Sequence, residues 1–198
     1  MSYEEIEIKL LVDDLAALRQ RLLALGAILH TPRTYEDNWC FDTPDHRLQQ
    51  QDCLLRLRRD QRNLLTYKEP PAAAETAYKV RHEYEIEVSD FAQARALVEK
   101  LGFIPVLRYE KYRETFRYQE ADILLDDTPL GAVVEIEGGR DVIEWLTTQL
   151  ELGDAPRLTC SYGEMFEAVR TAYALNFRDM TFDNFKGIDI DLRTCNLA

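Results

Sequence analysis

Charged and apolar residues alternate along nearly every predicted strand of this chain, and no other feature constrains its fold as strongly. The first strand is EIEIKLL, which begins at Glu5. Successive side chains of a strand point to opposite faces, so its two glutamates and its lysine share one face while its isoleucines share the other. In a single strand this pattern is typical of a sheet with one face in water. Here the later strands repeat it.

Each later predicted strand also combines a charged face with an apolar face. These strands are CLLRLRRD and NLLTYKEP, joined as a hairpin, then TAYKVRHEYEIEV, FIPVLRYEKYRETFRY, ADILLDD and AVVEIEG. The charged faces of all the strands carry the cations Lys9, Arg56, Arg58, Lys68, Lys79, Arg81, Lys111 and Arg113. They also carry the acids Glu5, Glu7, Glu83, Glu85, Glu87, Asp126, Glu135 and Glu137.

The predicted amphipathic helices decide which of these faces points inward. They cover LAALRQRLLALG, FAQARALVEKLG, DVIEWLTTQLELG and SYGEMFEAVRTAYAL, with Ser161 as the N-cap of the last. The apolar stripe of each helix must be buried, and only the apolar faces of the strands can cover it. A sheet that curls with helices outside therefore turns its charged faces inward. We predict an α+β fold in which about eight antiparallel strands form a closed barrel with a charged lumen.

The chain is predicted to form one domain over residues 1–198. The barrel covers about 3–138, helices follow over about 140–176, and mixed signals over 178–198 indicate an irregular tail. A strand with Glu-Ile-Glu, followed by a helix that ends in Leu-Gly, starts near residue 5 and recurs near residue 85. This echo indicates two similar halves in one sheet, although a chance match of such short words stays open.

Composition argues against several classes of function. The net charge is −12 and the isoelectric point is about 4.8, which disfavours nucleic acid as a partner. No run of 18 apolar residues occurs, so we expect no membrane span. The acidic start lacks the basic and apolar regions of a signal peptide, and we therefore expect a cytoplasmic protein. The four scattered cysteines form no CxxC pair, which indicates free thiols and no zinc site.

Common catalytic motifs are missing from the sequence. The three serines are terminal or suit helix N-caps, which argues against a serine triad, and the three histidines are isolated. Neither GxxxxGKS/T nor GxGxxG occurs, so any bound phosphate must be held by side chains. The charged lumen provides such side chains, because its cations suit a polyanion. Its carboxylates suit a hard cation, Mg²⁺ or Mn²⁺.

The ordered series EIEIK, LRLR, TYK, KVRHEYEIEV, EKYR and LLDDTPLGAVVEIEG resembles the CYTH family, the triphosphate tunnel metalloenzymes, over about residues 3–170. EDNWCFDTPDHRL and LTYKEP resemble in particular the branch of class IV adenylate cyclases and thiamine triphosphatases. SYGEMFEAV resembles a helix that ends many members. Trp39 and Cys40 depart from the aromatic pair common in that branch, which leaves the pocket beyond the triphosphate open.

The resemblance implies a role for each charged residue. It implies that divalent metal is bound or supported by Glu5, Glu7, Glu135, Glu137 and Asp126, the last near metal or water. It implies that the triphosphate is bound by Arg56, Arg58, Lys68, Arg81, Lys111 and Arg113, with help from Lys9. Lys79 shares the charged face of Arg81, and we expect it to bind the triphosphate as well. The catalytic groups are expected among Lys9, Glu85, Glu87 and Asp126.

These features predict an enzyme that uses Mg²⁺ or Mn²⁺ to hydrolyse a small-molecule triphosphate, such as tripolyphosphate, thiamine triphosphate or a nucleoside triphosphate. A class IV adenylate cyclase, which forms cyclic AMP and pyrophosphate from ATP, is the first alternative because it uses the same tunnel. A non-catalytic polyphosphate or nucleotide binder is the second alternative, and it needs the cations but not the paired glutamates. A homodimer stays open.

Overall fold

The computed structural model of the chain describes residues 3–71, 78–195 and 197. The predicted loop PPAAAE falls mainly on residues 72–75, which lie outside the described residues. The first two residues of the predicted strand TAYKVRHEYEIEV lie outside them as well. Within the described part of the chain, no helix has the length and apolar character needed to cross a membrane.

Eight antiparallel strands close into a ring. Their bounds are β1 Tyr3–Leu11, β2 Ile28–Asp42, β3 Leu54–Arg59, β4 Asn63–Glu69, β5 Lys79–Glu87, β6 Ile104–Tyr118, β7 Ala121–Thr128 and β8 Gly131–Glu137. The order around the ring is β1, β5, β4, β3, β2, β6, β7, β8 and back to β1. A two-residue strand, β9 Arg157–Leu158, pairs with β1 outside this ring. The closed antiparallel barrel predicted from the alternation is confirmed.

The described part of the chain forms five α-helices and one 3₁₀ turn. They are α1 Leu15–Leu25, α2 Arg47–Gln50, α3 Phe91–Lys100, α4 Arg140–Gln149, α5 Tyr162–Ala172 and a 3₁₀ turn at Leu192–Thr194. Asp14 and Asp90 accept backbone hydrogen bonds as the N-caps of α1 and α3, and Ser161 forms a capping box with Glu164 on α5. The sequence does not predict α2 or β9, because elements this short carry no periodic signal.

The helices pack on the outside of the ring, against the apolar faces of its strands. Leu22 of α1 and Ile143 of α4 are fully buried in one cluster with Ile136 of β8. α3 covers another part of the ring, where Val98 packs with Phe41 of β2. Each such side chain contributes roughly 1.5–3 kcal/mol when it is buried. This burial stabilises the arrangement in which the charged faces point inward.

The chain beyond β8 continues along the same barrel. α5 and the tail share a second apolar cluster that includes Phe166 and Phe185. The tail also pairs with the edge of β6, because the N–H of Met180 donates to the carbonyl of Arg108 at 2.9 Å. The carbonyl of Met180 in turn accepts from the N–H of Glu110 at 2.9 Å. The irregular tail is therefore attached to the barrel wall by backbone hydrogen bonds.

The two halves of the chain have the same topology. β1, α1, β2, β3 and β4 are followed by β5, α3, β6, β7 and β8, and exchanging the two sets reproduces the same ring order. β1 lies beside β5, and β2 lies beside β6, so the halves meet at pairs of equivalent strands. The prediction of two similar halves therefore holds for the topology, and the two Leu-Gly words end equivalent helices. The two Glu-Ile-Glu words are not equivalent, because the first lies near the start of β1 and the second ends β5.

Candidate active site

The lumen of the ring is a cavity of about 1120 Å³ with a charged wall. The predicted site residues in this wall are Glu5, Glu7, Lys9, Arg56, Arg58, Lys68, Lys79, Arg81, Glu85, Lys111, Arg113, Glu135 and Glu137. Strand geometry places them there, because their apolar sequence neighbours point outward to the helices. Two predicted residues lie elsewhere: Asp126 is fully buried beside the wall, and Glu87 is exposed at the end of β5.

Three carboxylates converge at one place in the wall. Glu5 and Glu7 come from β1, and Glu137 comes from β8, where it lies opposite Glu7 in the strand register. One oxygen from each of the three lies within 4.8 Å of the others. Burial and the charges of Glu5, Glu135 and Glu7 raise the pKa of Glu137 well above its usual range. Oxygen ligands held this close fit Mg²⁺ or Mn²⁺, which would offset their repulsion.

Glu135 lies next to this carboxylate cluster but is engaged in ion pairs. One oxygen lies 3.2 Å from Lys9 Nζ, and the other accepts a 2.6 Å hydrogen bond from Arg113 Nη2. Burial opposes its charge, but Lys9 and Arg113 outweigh burial and hold the pKa of Glu135 well below its usual range. Lys9 Nζ also lies 3.4 Å from Glu7. Lys9 therefore connects the carboxylate cluster with the cationic part of the wall.

Asp126 holds two of the cations in place. Its carboxylate accepts from Lys111 Nζ at 2.8 Å, from Arg113 Nε at 2.6 Å and from Arg113 Nη2 at 2.5 Å. It also accepts a hydrogen bond from the hydroxyl of Tyr162. Four donors therefore converge on this one carboxylate, three of them on Oδ2 and one on Oδ1. The oxygens of Asp126 therefore serve Lys111 and Arg113, whose side chains line the cavity.

Two further cations pair with acids around the cavity. Lys68 Nζ donates to Glu5 at 2.5 Å and lies 2.8 Å from Glu83. Burial opposes the charge of Lys68, but Glu5 and Glu83 outweigh burial and raise its pKa. Arg81 Nη2 donates to both carboxylate oxygens of Asp52, each at 2.8 Å. Because Glu5 also belongs to the carboxylate cluster, it links Lys68 to that cluster.

Some cations of the wall keep hydrogen-bonding capacity that no described residue uses. The buried Nε of Arg56 has no hydrogen-bond partner among the residues that the structure describes. The Nε of Arg58 lies 3.1 Å from a carboxylate oxygen of Asp60, but without the geometry of a hydrogen bond. Lys79 has no ion pair within those residues either, and burial, followed by the charge of Lys9, lowers its pKa. A buried donor without a partner costs about 1–3 kcal/mol. These groups suit a ligand with many acceptor oxygens, such as a chain of phosphates.

The sequence prediction missed several residues that line the cavity, among them Glu36, Tyr109 and Tyr162. Glu36 of β2 is buried between Lys111 at 3.7 Å and Arg58 at 3.8 Å. Burial opposes its charge, but the surrounding cations, Lys111 foremost, lower the pKa of Glu36 to about 2. Strand alternation along β2 and β6 could have identified Glu36, and also Tyr109, which precedes Lys111 by two residues. Tyr162 lies on α5, where strand alternation does not apply.

One part of the cavity wall is apolar. It includes Cys40, Leu54, Val106, Leu107 and Phe166. Burial raises the pKa of the Cys40 thiol to about 12, so this group is neutral. Trp39 lies on the opposite face of β2, where Arg95 of α3 lies over its ring at 4.1 Å. The cavity therefore offers an apolar surface beside its charged region.

Known proteins share this architecture. The family model of the CYTH domain matches residues 4–152. A Methanocaldococcus jannaschii protein named "Putative adenylate cyclase" is 31% identical over 135 residues, which cover 67% of this chain and 75% of that protein. A Vibrio parahaemolyticus protein of the same name has a structure with a TM-score of 0.72 at 23% identity, covering 85% of this chain and 100% of that one. The PH1819 protein from Pyrococcus horikoshii gives a TM-score of 0.63 at 27% identity, covering 80% and 95% of the two chains.

Proposed function

This chain belongs to the CYTH family of enzymes, and from that premise we propose that it hydrolyses a small-molecule triphosphate with Mg²⁺ or Mn²⁺ as cofactor. The observation that carries the proposal is the meeting of a three-carboxylate cluster and a wall of cations in one cavity. Carboxylate oxygens suit a hard divalent cation. Guanidinium and ammonium groups with free donors suit phosphate oxygens.

Glu5, Glu7 and Glu137 are the residues that would hold the metal. When bound, the metal supplies charge neutralisation at phosphate oxygens and lowers the pKa of bound water. Lys68 donates to Glu5, so Glu5 would serve a metal fully only if Lys68 turned to another acceptor. A phosphate oxygen provides that acceptor. This exchange supports cooperative binding of metal and triphosphate.

The cations of the wall would hold the phosphates. Arg56 and Arg58 contribute guanidinium groups with unused donors, and Lys111 and Arg113 are kept in position by Asp126. Lys9 lies next to the carboxylate cluster, so we assign it to the phosphate nearest the metal. At an effective dielectric near 20, one such contact at 4 Å contributes roughly 4 kcal/mol before desolvation. A few contacts therefore suffice to bind a polyanion despite the net charge of −12.

Glu85 is the carboxylate of the wall that we assign to the attacking water. It accepts a 2.7 Å hydrogen bond from Thr66 Oγ1, and its side chain keeps 31% exposure, so one face is open to solvent in the lumen. A carboxylate in this setting can orient a water molecule and accept its proton. Asp126 acts by positioning Lys111 and Arg113. Glu87 lies outside the cavity wall, and the proposal gives it no part.

An adenylate cyclase that uses the same tunnel is the second candidate. In that reaction the ribose hydroxyl attacks the α-phosphate and pyrophosphate leaves. The apolar part of the wall supports this candidate, because a nucleoside needs a surface such as that of Leu107 and Phe166. The name of the M. jannaschii relative supports it as well. A non-catalytic polyphosphate binder has less support, because it needs no carboxylate cluster.

Product analysis with the purified protein tests the proposal. Tripolyphosphate, thiamine triphosphate and ATP are each incubated with Mg²⁺, with Mn²⁺ and with EDTA. The proposal expects orthophosphate release with a divalent metal and none with EDTA. Release that persists in EDTA would contradict the metal role. A lack of turnover for all three substrates with both metals would contradict the proposal as a whole.

A further inference from the structure

Two tyrosines lie side by side in the wall of the lumen. Tyr109 belongs to β6, and Tyr162 is the first residue of α5. Their ring centroids lie 5.7 Å apart with an angle of 26° between the planes, and both side chains are buried. Tyr162 lies beyond residues 4–152, which the family model matches. α5 therefore contributes directly to a wall that is built largely by strands.

Tyr162 contacts two of the cations with its ring and is linked to a third through Asp126. Its hydroxyl donates to Asp126, which also accepts from Lys111 and Arg113. Its ring lies 4.6 Å from Lys111 Nζ and 5.2 Å from Lys9 Nζ, measured to the ring centroid. Both distances are within the range of cation–π attraction. Tyr162 therefore holds Lys9 and Lys111 by its ring, and it holds Arg113 through Asp126.

Tyr109 contacts a fourth cation. Its hydroxyl accepts a 3.3 Å hydrogen bond from Arg56 Nη1. The backbone of β6 at this position is paired with Met180 of the tail, which fixes the strand edge that carries the ring. The two rings together thus connect Arg56 with the group formed by Asp126 and its cations.

We propose that Tyr109 and Tyr162, here called the tyrosine pair, are positioning residues that hold Arg56, Lys9, Lys111 and Arg113 in the arrangement that binds the triphosphate. This inference rests on the proposed function, since it assigns those four cations to phosphate. Lysine and arginine side chains have many rotamers, and each one immobilised on binding reduces affinity. A rigid aromatic pair that fixes them beforehand removes part of that cost.

The competing explanation is that the tyrosine pair only fills space. The hydroxyl groups separate the two explanations, because phenylalanine keeps the ring and its packing. Tyr162→Phe removes the bond to Asp126, and Tyr109→Phe removes the bond to Arg56. Tyr78→Phe is the matched control. The Tyr78 hydroxyl donates to a carboxylate, Glu144, at 2.8 Å, and neither residue lines the cavity.

The test measures the Kd for tripolyphosphate by calorimetry in EDTA, and KM and kcat with Mg²⁺, for the wild-type protein and the three variants. Thermal unfolding of each variant is measured in parallel. Hydrogen bonds to charged groups are strong enough that we expect a rise of about tenfold in Kd and KM for Tyr162→Phe and Tyr109→Phe. We expect kcat to stay within about twofold, because the cations bind ground state and transition state alike. Tyr78→Phe should match the wild type.

The outcomes distinguish this inference from the proposed function. The inference alone would be overturned if the wild-type protein binds and hydrolyses tripolyphosphate while Kd and KM are unchanged in both tyrosine variants. A fall in thermal stability with unchanged Kd and KM would also overturn it, because that result marks a packing role. Wild-type protein that neither binds nor hydrolyses tripolyphosphate would overturn the proposed function and the inference with it.

Discussion

Glu7 of β1 and Glu137 of β8 lie opposite each other in the antiparallel register of the two strands, with both carboxylates in the lumen. Like charges that face each other across a strand pair destabilise a sheet. Glu5 adds a third carboxylate, with one oxygen of each group within 4.8 Å of the others. The strand register thus creates a repulsive cluster that a divalent cation would relieve.

Replacing Glu137 by glutamine should abolish activity without harming the fold. We expect turnover of tripolyphosphate to fall at least about a hundredfold, since the charge stabilisation from a bound metal is worth several kcal/mol. The melting temperature in EDTA should stay equal or rise, because the repulsion that raises the pKa of Glu137 disappears. Turnover is assayed at limiting Mg²⁺, and the melting temperature is measured by thermal unfolding in EDTA. Calorimetry with Mn²⁺ measures the metal affinity.

Glu144→Gln serves as the control for that experiment. Glu144 is an outer-surface acid that pairs with Arg157 at 2.8 Å. The control should keep both activity and Mn²⁺ affinity. Unchanged turnover of Glu137→Gln at limiting Mg²⁺ would rule out the metal role of Glu137.

The buried carboxylate of Glu36 should give the protein an acid-sensitive contribution to stability. Its pKa is lowered from 4.5 to about 2 in the folded protein, because Lys111 and other cations outweigh the effect of burial. A lowered carboxyl pKa stabilises the fold above the unfolded value, and this contribution is lost as the pH falls from about 4.5 to about 2. It corresponds to about 3 kcal/mol.

Urea unfolding of Glu36→Gln across this pH range tests the contribution. At neutral pH the variant should be less stable than the wild type by about 3 kcal/mol, and the difference should shrink as the pH falls through the window. Glu99→Gln, which breaks only an exposed helical pair with Arg95, should change stability by less than about 1 kcal/mol. A Glu36→Gln protein that loses stability with acid as steeply as the wild type would contradict this assignment.

Asp126→Asn should weaken triphosphate binding while leaving the metal site in place. The substitution removes the charge that Lys111 and Arg113 share, and they keep Glu36 at 3.7 Å and Glu135 at 2.6 Å as partners. Removing one partner of a buried ion pair costs about 3–5 kcal/mol, and the remaining acids reduce this cost. We expect a lower free energy of unfolding and a higher Kd for tripolyphosphate, with Mn²⁺ affinity retained. Asp127→Asn, at the neighbouring position but paired with Arg33 on the outside, should change neither binding constant. Loss of Mn²⁺ affinity in Asp126→Asn would instead make Asp126 part of the metal site.

Lys79→Met should stabilise the ligand-free protein and weaken substrate binding. Burial, followed by the charge of Lys9, lowers the pKa of Lys79, and it has no ion pair among the described residues. An apolar side chain of similar length removes this unpaired charge, so the melting temperature should rise while the KM for tripolyphosphate increases. Lys100→Met on the exposed surface of α3 is the control and should leave KM unchanged. A lower melting temperature with unchanged KM would show that Lys79 has a structural role only.

Strand alternation predicted most of the site because it determines which side of a strand each residue occupies. It placed Glu7, Arg58 and Glu137 together in the lumen, although they are far apart in sequence. Alternation does not determine how far along a strand the cavity extends. Glu87 shares the face of Glu85, yet it lies at the end of β5, where the strand is exposed.

Other parts of the site could not be derived from the alternation. Tyr162 reaches Asp126 from a helix that the chain adds after the ring, and tertiary packing alone decides which strand face that helix meets. The position of Met180 on the edge of β6 likewise depends on backbone hydrogen bonds between distant segments. The sequence predicted an irregular tail but gave no signal for where it docks.

If the charged wall alone recognises the substrate, replacing one of its cations should weaken the binding of different triphosphates by similar factors. If Arg56 and Lys68 bind phosphate only, then Arg56→Ala and Lys68→Ala should raise the KM for tripolyphosphate and the KM for ATP by similar factors. A loss confined to ATP would show that the replaced residue contacts the nucleoside instead. Steady-state kinetics of both variants with both substrates provides the comparison.

Product analysis by ³¹P NMR, with ATP and tripolyphosphate at equal concentration in one Mg²⁺ reaction, tests the central claim most directly. Tripolyphosphate carries the phosphate charges that the wall can bind and lacks the organic group. We therefore predict that it is consumed at least as fast as ATP, with orthophosphate appearing from both and no cyclic AMP. Formation of cyclic AMP and pyrophosphate from ATP, while tripolyphosphate stays intact, would contradict the hydrolase and establish the cyclase.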